Sequence, residues 1–128
     1  MATQEEVRLV VPATPEFLRL ARVTATGLAS RSGFSYDEVE DLRLAIDELC
    51  FALIGSRGRE GTVNLRYAMP EGALEIEGSG DFPTATATPP ALSELSRQIL
   101  TALVDDYDVY LADGGHPAFR LRKQRPGA

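Results

Sequence analysis

The segment from residue 33 to residue 58 carries the pattern that most limits what this chain can fold into. Ser35 and Glu38 have the spacing of a capping box, in which each side chain accepts a hydrogen bond from the other residue's backbone N–H. Glycines at 55 and 58 mark the end of the segment. Apolar residues at helical spacing predict one buried face, formed by Val39, Leu42, Ile46, Leu49, Cys50 and Leu53. The sequence therefore predicts one long amphipathic helix here.

A strand and a helix precede this segment. Val7, Leu9 and Val11 occur at every second position, as on the inner side of a half-buried strand. Residues 14–33 then predict a helix with Thr14 as its N-cap and Pro15 at its first helical position. The predicted core stripe of this helix is Phe17, Leu20, Ala21, Thr24 and Leu28.

Two hairpins and a third helix follow the long helix. Residues 62–78 alternate on both sides of a turn in which Pro70 takes the second position and Gly72 the fourth. Residues 91–107 predict a helix, and residues 108–123 predict a second hairpin that turns on a Gly-Gly pair. The predicted core stripe of the third helix is Leu92, Leu95, Ile99, Ala102 and Leu103.

The order of these elements, β-α-α-β-β-α-β-β, predicts a single α/β domain over residues 1–128. Strands joined by short turns pair antiparallel, and the helices then cover one face of the sheet. The expected architecture is a two-layer sandwich with a mostly antiparallel sheet. A chain of 128 residues is long enough to bury the core that this architecture needs.

The charge and composition of the chain exclude several functional classes. A net charge of -6 argues against a general nucleic-acid binder, which normally shows a basic face. No apolar run approaches the ~20 residues of a membrane span, and the N-terminus lacks a signal pattern. The single cysteine excludes an internal disulfide. We therefore expect a cytoplasmic protein that contacts neither nucleic acid nor membrane.

The polar side of the long helix is interrupted by two large apolar residues. Leu44 and Phe51 lie opposite the predicted buried stripe, on the same side as Glu48 and Ala52. Such residues occur on ordinary surfaces, but they also predict a second contact surface that a loop, a ligand or a partner protein covers. Glu48 is a candidate general base if it lies beside a reactive oxygen, and a solvated charge otherwise.

Three other features have simple structural explanations. Cys50 lies on the buried stripe and is expected to be a small apolar core residue. His116 lies in a turn without a second histidine, so we expect an exposed residue and no metal site. The glycines of "GSGD", residues 78–81, let a backbone approach a phosphate, and an ordinary strand exit explains them equally well.

The stretches "DLRLAIDELC", "ARVT" and "LTALVDDYDV" together resemble the anti-sigma factor and serine-protein kinase family of bacterial partner-switching systems. This family uses the ATPase fold shared by gyrase, heat-shock chaperones and histidine kinases. In the family, a helix carries a Glu that polarises the attacking hydroxyl and, four residues later, an Asn that holds Mg²⁺. Glu48 matches the Glu, but Ala52 replaces the Asn, and a methyl group cannot bind a hard cation.

The other nucleotide motifs of the family are degenerate in this chain. The adenine-reading Asp of an Asp-x-Gly-x-Gly motif has only Glu77 or Asp81 as a counterpart, within "EGSGDF". The glycine-rich phosphate loop corresponds to "ALSELSRQIL", which has no glycine, and the lid corresponds to "PTATATPP", residues 83–90. The resemblance thus implies a remnant nucleotide site, at which ATP and Mg²⁺ bind weakly or not at all, formed by Glu48, Ala52, Gly78, Gly80 and Asp81.

The protein-binding part of the resemblance is better preserved. Family members dimerise, and an Arg followed by Val in the first helix helps to dock both the sigma factor and its antagonist. Arg22 and Val23 match these two positions. An Arg at such a site can pair with a partner carboxylate through two hydrogen bonds, although Arg22 on its own is equally compatible with a plain surface residue. The predicted partner surface comprises Arg19, Arg22, Val23, Leu44 and Phe51.

These observations lead to three hypotheses. The first is a homodimeric regulator that sequesters a sigma factor and is released by a STAS-type antagonist, without efficient ATP hydrolysis. The second is an active serine-protein kinase that phosphorylates this antagonist with Glu48 as its base. The third is a module that senses a small molecule in the former nucleotide pocket. We favour the first, because phosphoryl transfer depends on positioning and on the metal, and both sets of residues are replaced.

Overall fold

The computed structural model describes residues 5–83 and 88–126, and in these residues the elements follow the predicted order. The bounds are β1 Glu6–Pro12, α1 Pro15–Arg31, α2 Tyr36–Ile54, β2 Thr62–Ala68, β3 Ala73–Asp81, α3 Glu94–Leu103, β4 Asp106–Ala112 and β5 His116–Gln124. The sheet order is β1-β2-β3-β5-β4, and each neighbouring pair is antiparallel. Part of the predicted lid, residues 84–87, lies outside the described residues. The predicted α/β class is confirmed.

The core lies between the sheet and the helical layer. Alternate residues of the strands and one face of each helix join a single buried cluster, which includes Val11, Leu18, Leu42, Ile46, Leu49, Val63, Leu65, Ile76, Leu100 and Phe119. Tyr67 of β2 is fully buried, and its hydroxyl donates a hydrogen bond to the backbone oxygen of Ala21 at 2.9 Å. This bond satisfies the one polar atom of the ring and ties β2 to α1. Within the described residues, no helix is long and apolar enough to span a membrane.

The α2 helix forms as its sequence predicts. The backbone N–H of Ser35 donates to Glu38 Oε1 at 2.7 Å, and the backbone N–H of Glu38 donates to Ser35 Oγ at 3.2 Å. Phe34 is buried beside this capping box, with Val39 packed against the same core. The helix ends at Gly55, which has a φ of 80° that favours glycine. The predicted buried face of α2 is confirmed.

The predicted core stripe of α1 is wrong in part. The helix buries Leu18, Ala21, Ala25 and Ala29, whereas Phe17 and Leu20 are exposed. Small side chains on the inner face let α1 approach the rest of the core closely, and a stripe drawn through the largest residues misses this. Thr14 is the N-cap residue, but its side chain makes no capping hydrogen bond.

The predicted core stripe of α3 is wrong in part, although Leu92 and Leu103 do pack against the core as partly buried residues. Leu100 is the buried residue of this helix, while Leu95 is 66% exposed and Ala102 is exposed. The helix begins at Glu94 and packs against α2 and β4 at the margin of the sheet. A marginal helix buries a narrower face than a central one, because only one side of it meets the core.

Two local predictions in the first hairpin need correction. The turn is closed by a hydrogen bond from the backbone N–H of Ala73 to the oxygen of Pro70 at 2.9 Å, so Pro70 takes the first position and Gly72 the third. Gly72 has a φ of 73°, which explains the glycine at that place. The strand β3 continues to Asp81, so "GSGD" lies within a strand and is not a strand exit.

Candidate functional site

The carboxylate of Glu48 faces α3. Its Oε2 accepts a hydrogen bond from the hydroxyl of Ser96 at 3.1 Å, and both residues are half-buried. Ser96 is held in the first turn of α3, where its backbone N–H donates to Oγ of the N-cap residue Ser93 at 3.0 Å. The sequence pattern of a helix cap can identify Ser93 and Ser96. It gives no sign that Ser96 meets a carboxylate 48 positions away.

The glycines of the predicted remnant site lie beneath aromatic rings. A Cβ added at Gly78 would lie 2.5 Å from two carbons of the Phe119 ring, and a Cβ at Gly80 would collide with the ring of Phe82. The Phe82 ring is in turn covered by the Arg59 guanidinium, 3.8 Å from the ring centroid. These contacts explain both glycines by the packing of the rings.

The two acidic candidates of β3 point away from the helical layer. Glu77 is exposed on the open face of the sheet, where its Oε1 lies 3.5 Å from Arg66 Nη1. Asp81 is exposed at the end of β3. Within residues 5–83 and 88–126, no hydrogen bond or ion pair joins Glu48 to Gly78, Gly80 or Asp81. The structure therefore places Glu48 in a site with α3 and does not link it to β3.

An ion pair joins Arg22 of the predicted partner surface to Asp47 of α2, which was not among the predicted partner residues. The Nε of Arg22 donates to Oδ1 of Asp47 at 3.0 Å, and both side chains are half-buried. On α1, Arg19 and Val23 are exposed. Asp47 lies on the side of α2 that carries Leu44 and Phe51, which are 44% and 43% exposed. Residues of two helices thus form one continuous surface around the Arg22–Asp47 pair.

Leu44 and Phe51 also form one wall of a groove. The groove has a volume of about 480 Å³ and lies between α2 and α3. We call it the α2–α3 groove, and it is lined by Leu44, Asp47, Glu48, Phe51, Ile99, Ala102 and Leu103. The three α3 residues of this wall were predicted to lie in the core, so the sequence did not reveal the groove. The sequence feature that indicates this groove is the pair of large apolar residues on the side of α2 opposite its buried stripe.

Cys50 is buried and His116 is exposed, as their positions in the sequence predict. Cys50 is 2% exposed, and burial raises the pKa of its thiol to about 12, so the thiol stays protonated at neutral pH. His116 is exposed at the start of β5, with Nδ1 3.0 Å from the backbone oxygen of Gly80. Among the residues that the structure describes, no cluster of three or more His, Cys, Asp or Glu is arranged to hold a metal ion.

Comparison with known protein families gives a match over most of the chain. Residues 11–127 match the family model of the histidine kinase-like ATPase domain. This chain belongs to the histidine kinase-like ATPase family. The α/β architecture described above is the fold that the sequence resemblance implied, and the resemblance itself is confirmed.

Relatives of this ATPase-like domain are named serine-protein kinase RsbW. The protein of Bacillus pumilus (strain SAFR-032) is 34% identical over 133 residues, which cover 88% of this chain and 82% of the relative. The protein of Bacillus subtilis (strain 168) is 38% identical over 73 residues, or 55% of this chain and 46% of the relative. That of Halalkalibacterium halodurans is 36% identical over 73 residues, or 56% and 45%. The match thus spans about half the length of the latter two relatives.

Three positions of the predicted remnant nucleotide site in this histidine kinase-like ATPase domain can be compared with what a magnesium-bound nucleotide requires. Mg²⁺ requires oxygen ligands, and Ala52, one turn after Glu48, offers none. The ring of Phe82 fills the space that a Cβ at Gly80 would occupy. The first turn of α3 contains no glycine, and its cap is a serine hydroxyl. Glu48, which accepts a hydrogen bond from Ser96, is the carboxylate of this predicted site.

Proposed function

We propose that this domain is a cytoplasmic partner-switching regulator that sequesters a sigma factor and is released by a STAS-type antagonist, without phosphoryl transfer. The observation that carries the proposal is the surface around the Arg22–Asp47 pair, which spans α1 and α2 and is flanked by exposed apolar residues. The relatives named as serine-protein kinases support the partner-switching class. Dimerisation is part of the proposal, and light scattering of the purified protein tests it.

The geometry of Arg22 suits the recognition of a carboxylate. Asp47 engages Nε and so fixes the plane of the guanidinium, while the terminal nitrogens have no hydrogen-bond partner among the described residues. A planar guanidinium with two such nitrogens can bind one carboxylate through two parallel hydrogen bonds. Val23, which is 58% exposed, and Phe51 add apolar contact area beside it. An arginine with apolar neighbours is a common composition for the centre of a protein interface.

Charge reversal at Arg22 tests the docking surface. Purified sigma factors of the host are titrated onto the immobilised protein, and we expect one of them to bind. Arg22→Glu should weaken this binding by at least about thirtyfold, which is roughly the 2 kcal/mol that defines a hot spot. Arg57→Glu, the same charge change at an exposed position after α2, is the matched control and should leave binding unchanged. Equal binding by the wild type and Arg22→Glu contradicts the docking assignment.

Calorimetry tests whether the domain binds nucleotide. Titration of the protein with ATP and Mg²⁺, and separately with ADP, should release no binding heat, because Ala52 supplies no metal ligand. Ala52→Asn alone should not restore binding, since the ring beside Gly80 and the glycine-free turn of α3 remain. Binding by the wild type in the micromolar range would contradict the proposal.

A second candidate function is an active serine-protein kinase that phosphorylates the antagonist. Two observations favour it: relatives bear that name, and Oε2 of Glu48 lies 3.1 Å from a serine hydroxyl, the type of group that a general base activates. Its test is phosphate incorporation into purified antagonist with ATP and Mg²⁺ or Mn²⁺. Incorporation that is lost in Glu48→Ala supports the kinase, and no incorporation rejects it.

A further inference from the structure

We propose that the α2–α3 groove is a second docking site, which takes an amphipathic helix of a protein partner through apolar contacts and one cationic side chain. The inference rests on the proposed function, because a regulator that exchanges partners needs more than one surface for them. It concerns the groove itself, which shares Leu44, Asp47 and Phe51 with the Arg22 surface and has α3 as its other wall.

The length of the groove matches a short helical segment. Leu44 and Phe51 are seven positions apart, so they lie two turns, or about 10 Å, apart along α2. Helices that bind in grooves present apolar residues at i, i+3 or i+4, and i+7, which covers the same distance. Ile99 and Leu103 stand one turn apart on the opposite wall. Two helices therefore flank a channel into which a third helix can pack.

Most apolar residues of the groove lie outside the core, and Leu103 is the one that also packs against it. Leu44 and Phe51 lie on the side of α2 that faces away from the sheet, and neither belongs to the buried cluster. Ile99 is half-buried, and the residue that anchors α3 to the core is Leu100. Large apolar side chains gathered in one groove, most of them outside the core, mark an interaction site.

The charge of the groove determines which helix fits. Two acids line it, and Asp47 is neutralised by Arg22 at 3.0 Å. Glu48 accepts a hydrogen bond from a neutral hydroxyl and has no cation within ion-pair distance among the described residues. The acids of neighbouring turns are already paired, Glu40 with Arg43 at 2.9 Å and Asp41 with Lys123 at 3.7 Å. Glu48 is therefore the uncompensated charge, and a Lys or Arg on the bound helix would pair with it.

The same charge argues against a second copy of this chain as the occupant. In a two-fold contact, the groove of one chain would face the groove of the other chain. The Glu48 carboxylates of the two copies would then approach each other, and like charges at close range are unfavourable. A partner with a cationic side chain is favoured instead.

A pair of synthetic peptides tests the inference with the full-length protein. One peptide is helical with leucines at i, i+4 and i+7 and a lysine on the flank, and the other has glutamate in place of that lysine. We expect the lysine peptide to bind about tenfold more tightly, a difference of about 1.4 kcal/mol. It should shift the NMR signals of Leu44, Phe51, Ile99 and Leu103.

Three variants test whether the lysine peptide binds in the groove or is attracted to the acidic protein as a whole. Glu48→Gln should abolish the preference between the peptides, and Phe51→Gln should weaken both. Asp108→Asn, on the open face of the sheet, is the control that removes one charge and should keep the preference. Equal binding of both peptides to the wild type overturns the inference. Concentration-dependent shifts of the groove residues without peptide also overturn it, because they assign the face to a second copy.

The peptide assay contains no sigma factor, so its result is independent of the Arg22 test. Failure of the peptides with intact sigma capture rejects the groove alone. Failure of sigma capture with specific peptide binding rejects the proposed function and leaves the groove as a helix-binding site.

Discussion

At Gly78, the absence of a Cβ atom leaves the space that an aromatic ring of β5 occupies. The ring of Phe119 occupies the space that a Cβ would need, and this ring is fully buried. Gly27 on α1 is the opposite case, because nothing lies within 4 Å of the position of its Cβ. The same residue type is therefore required at one position and dispensable at the other.

Substitution of these two glycines should have opposite effects on stability. Gly78→Ala overpacks the core and should lower the free energy of unfolding by about 1–3 kcal/mol. Gly27→Ala should raise it by about 0.4–1 kcal/mol, because alanine restricts the unfolded chain and fits a helix. The urea midpoint of each variant measures the change. A Gly78→Ala protein as stable as the wild type would show that Phe119 does not fill this space.

At the scale of elements, one side of α3 faces the core and another side lines the α2–α3 groove. Its inner side reaches the core through Leu100, its outer side lines the α2–α3 groove with Ile99, and Leu103 contacts both the core and the groove. Ser96 adds the hydrogen bond to Glu48. The helix is thus held by few core contacts, and much of its apolar surface remains available to a partner.

Truncation of leucines on α3 should separate the two sides. Leu100→Ala should destabilise the protein by about 2–5 kcal/mol, because it leaves a cavity in the core. Leu95→Ala should change stability by less than about 0.5 kcal/mol, because this side chain is 66% exposed. Thermal unfolding of both variants provides the measurement. Equal losses of stability in the two variants would mean that Leu95 is buried as deeply as Leu100.

At the scale of the whole molecule, three carboxylates in separate regions are stabilised in their charged form. A hydrogen bond from Arg66 lowers the pKa of Glu6, and one from the backbone N–H of Ser35 lowers the pKa of Glu38. A hydrogen bond from Arg120 lowers the pKa of Asp106. In each case the native state favours the ionised carboxyl more than the unfolded chain does.

The protein should therefore lose stability in acid. Because the folded pKa values are below the ordinary carboxyl values of 4.5 and 3.8, the contribution is complete above those values. It disappears as the pH falls through the folded pKa values. Urea midpoints measured from about pH 6 to about pH 3 should decrease, and Glu38→Gln should show a smaller decrease. A midpoint that is constant or rises on acidification contradicts these assignments.

The sequence by itself determined the features that depend on neighbouring residues. The capping box of Ser35 and Glu38 and the buried face of α2 follow from hydrogen bonds and periodicity within one helix. The order of strands and helices follows from periodicity and turn residues along the chain. The family resemblance, which the family match confirms, was also visible in short stretches of the sequence. The replacement of an amide by Ala52 is also visible without coordinates.

Only the tertiary structure decided which distant residues meet. The Glu48–Ser96 contact joins positions 48 apart, and the Arg22–Asp47 pair joins positions 25 apart. The covering of Gly78 by Phe119 likewise depends on the pairing of β3 with β5. Periodicity within one helix specifies which of its residues share a face. It does not specify which element that face meets, because the packing of the whole chain selects that partner.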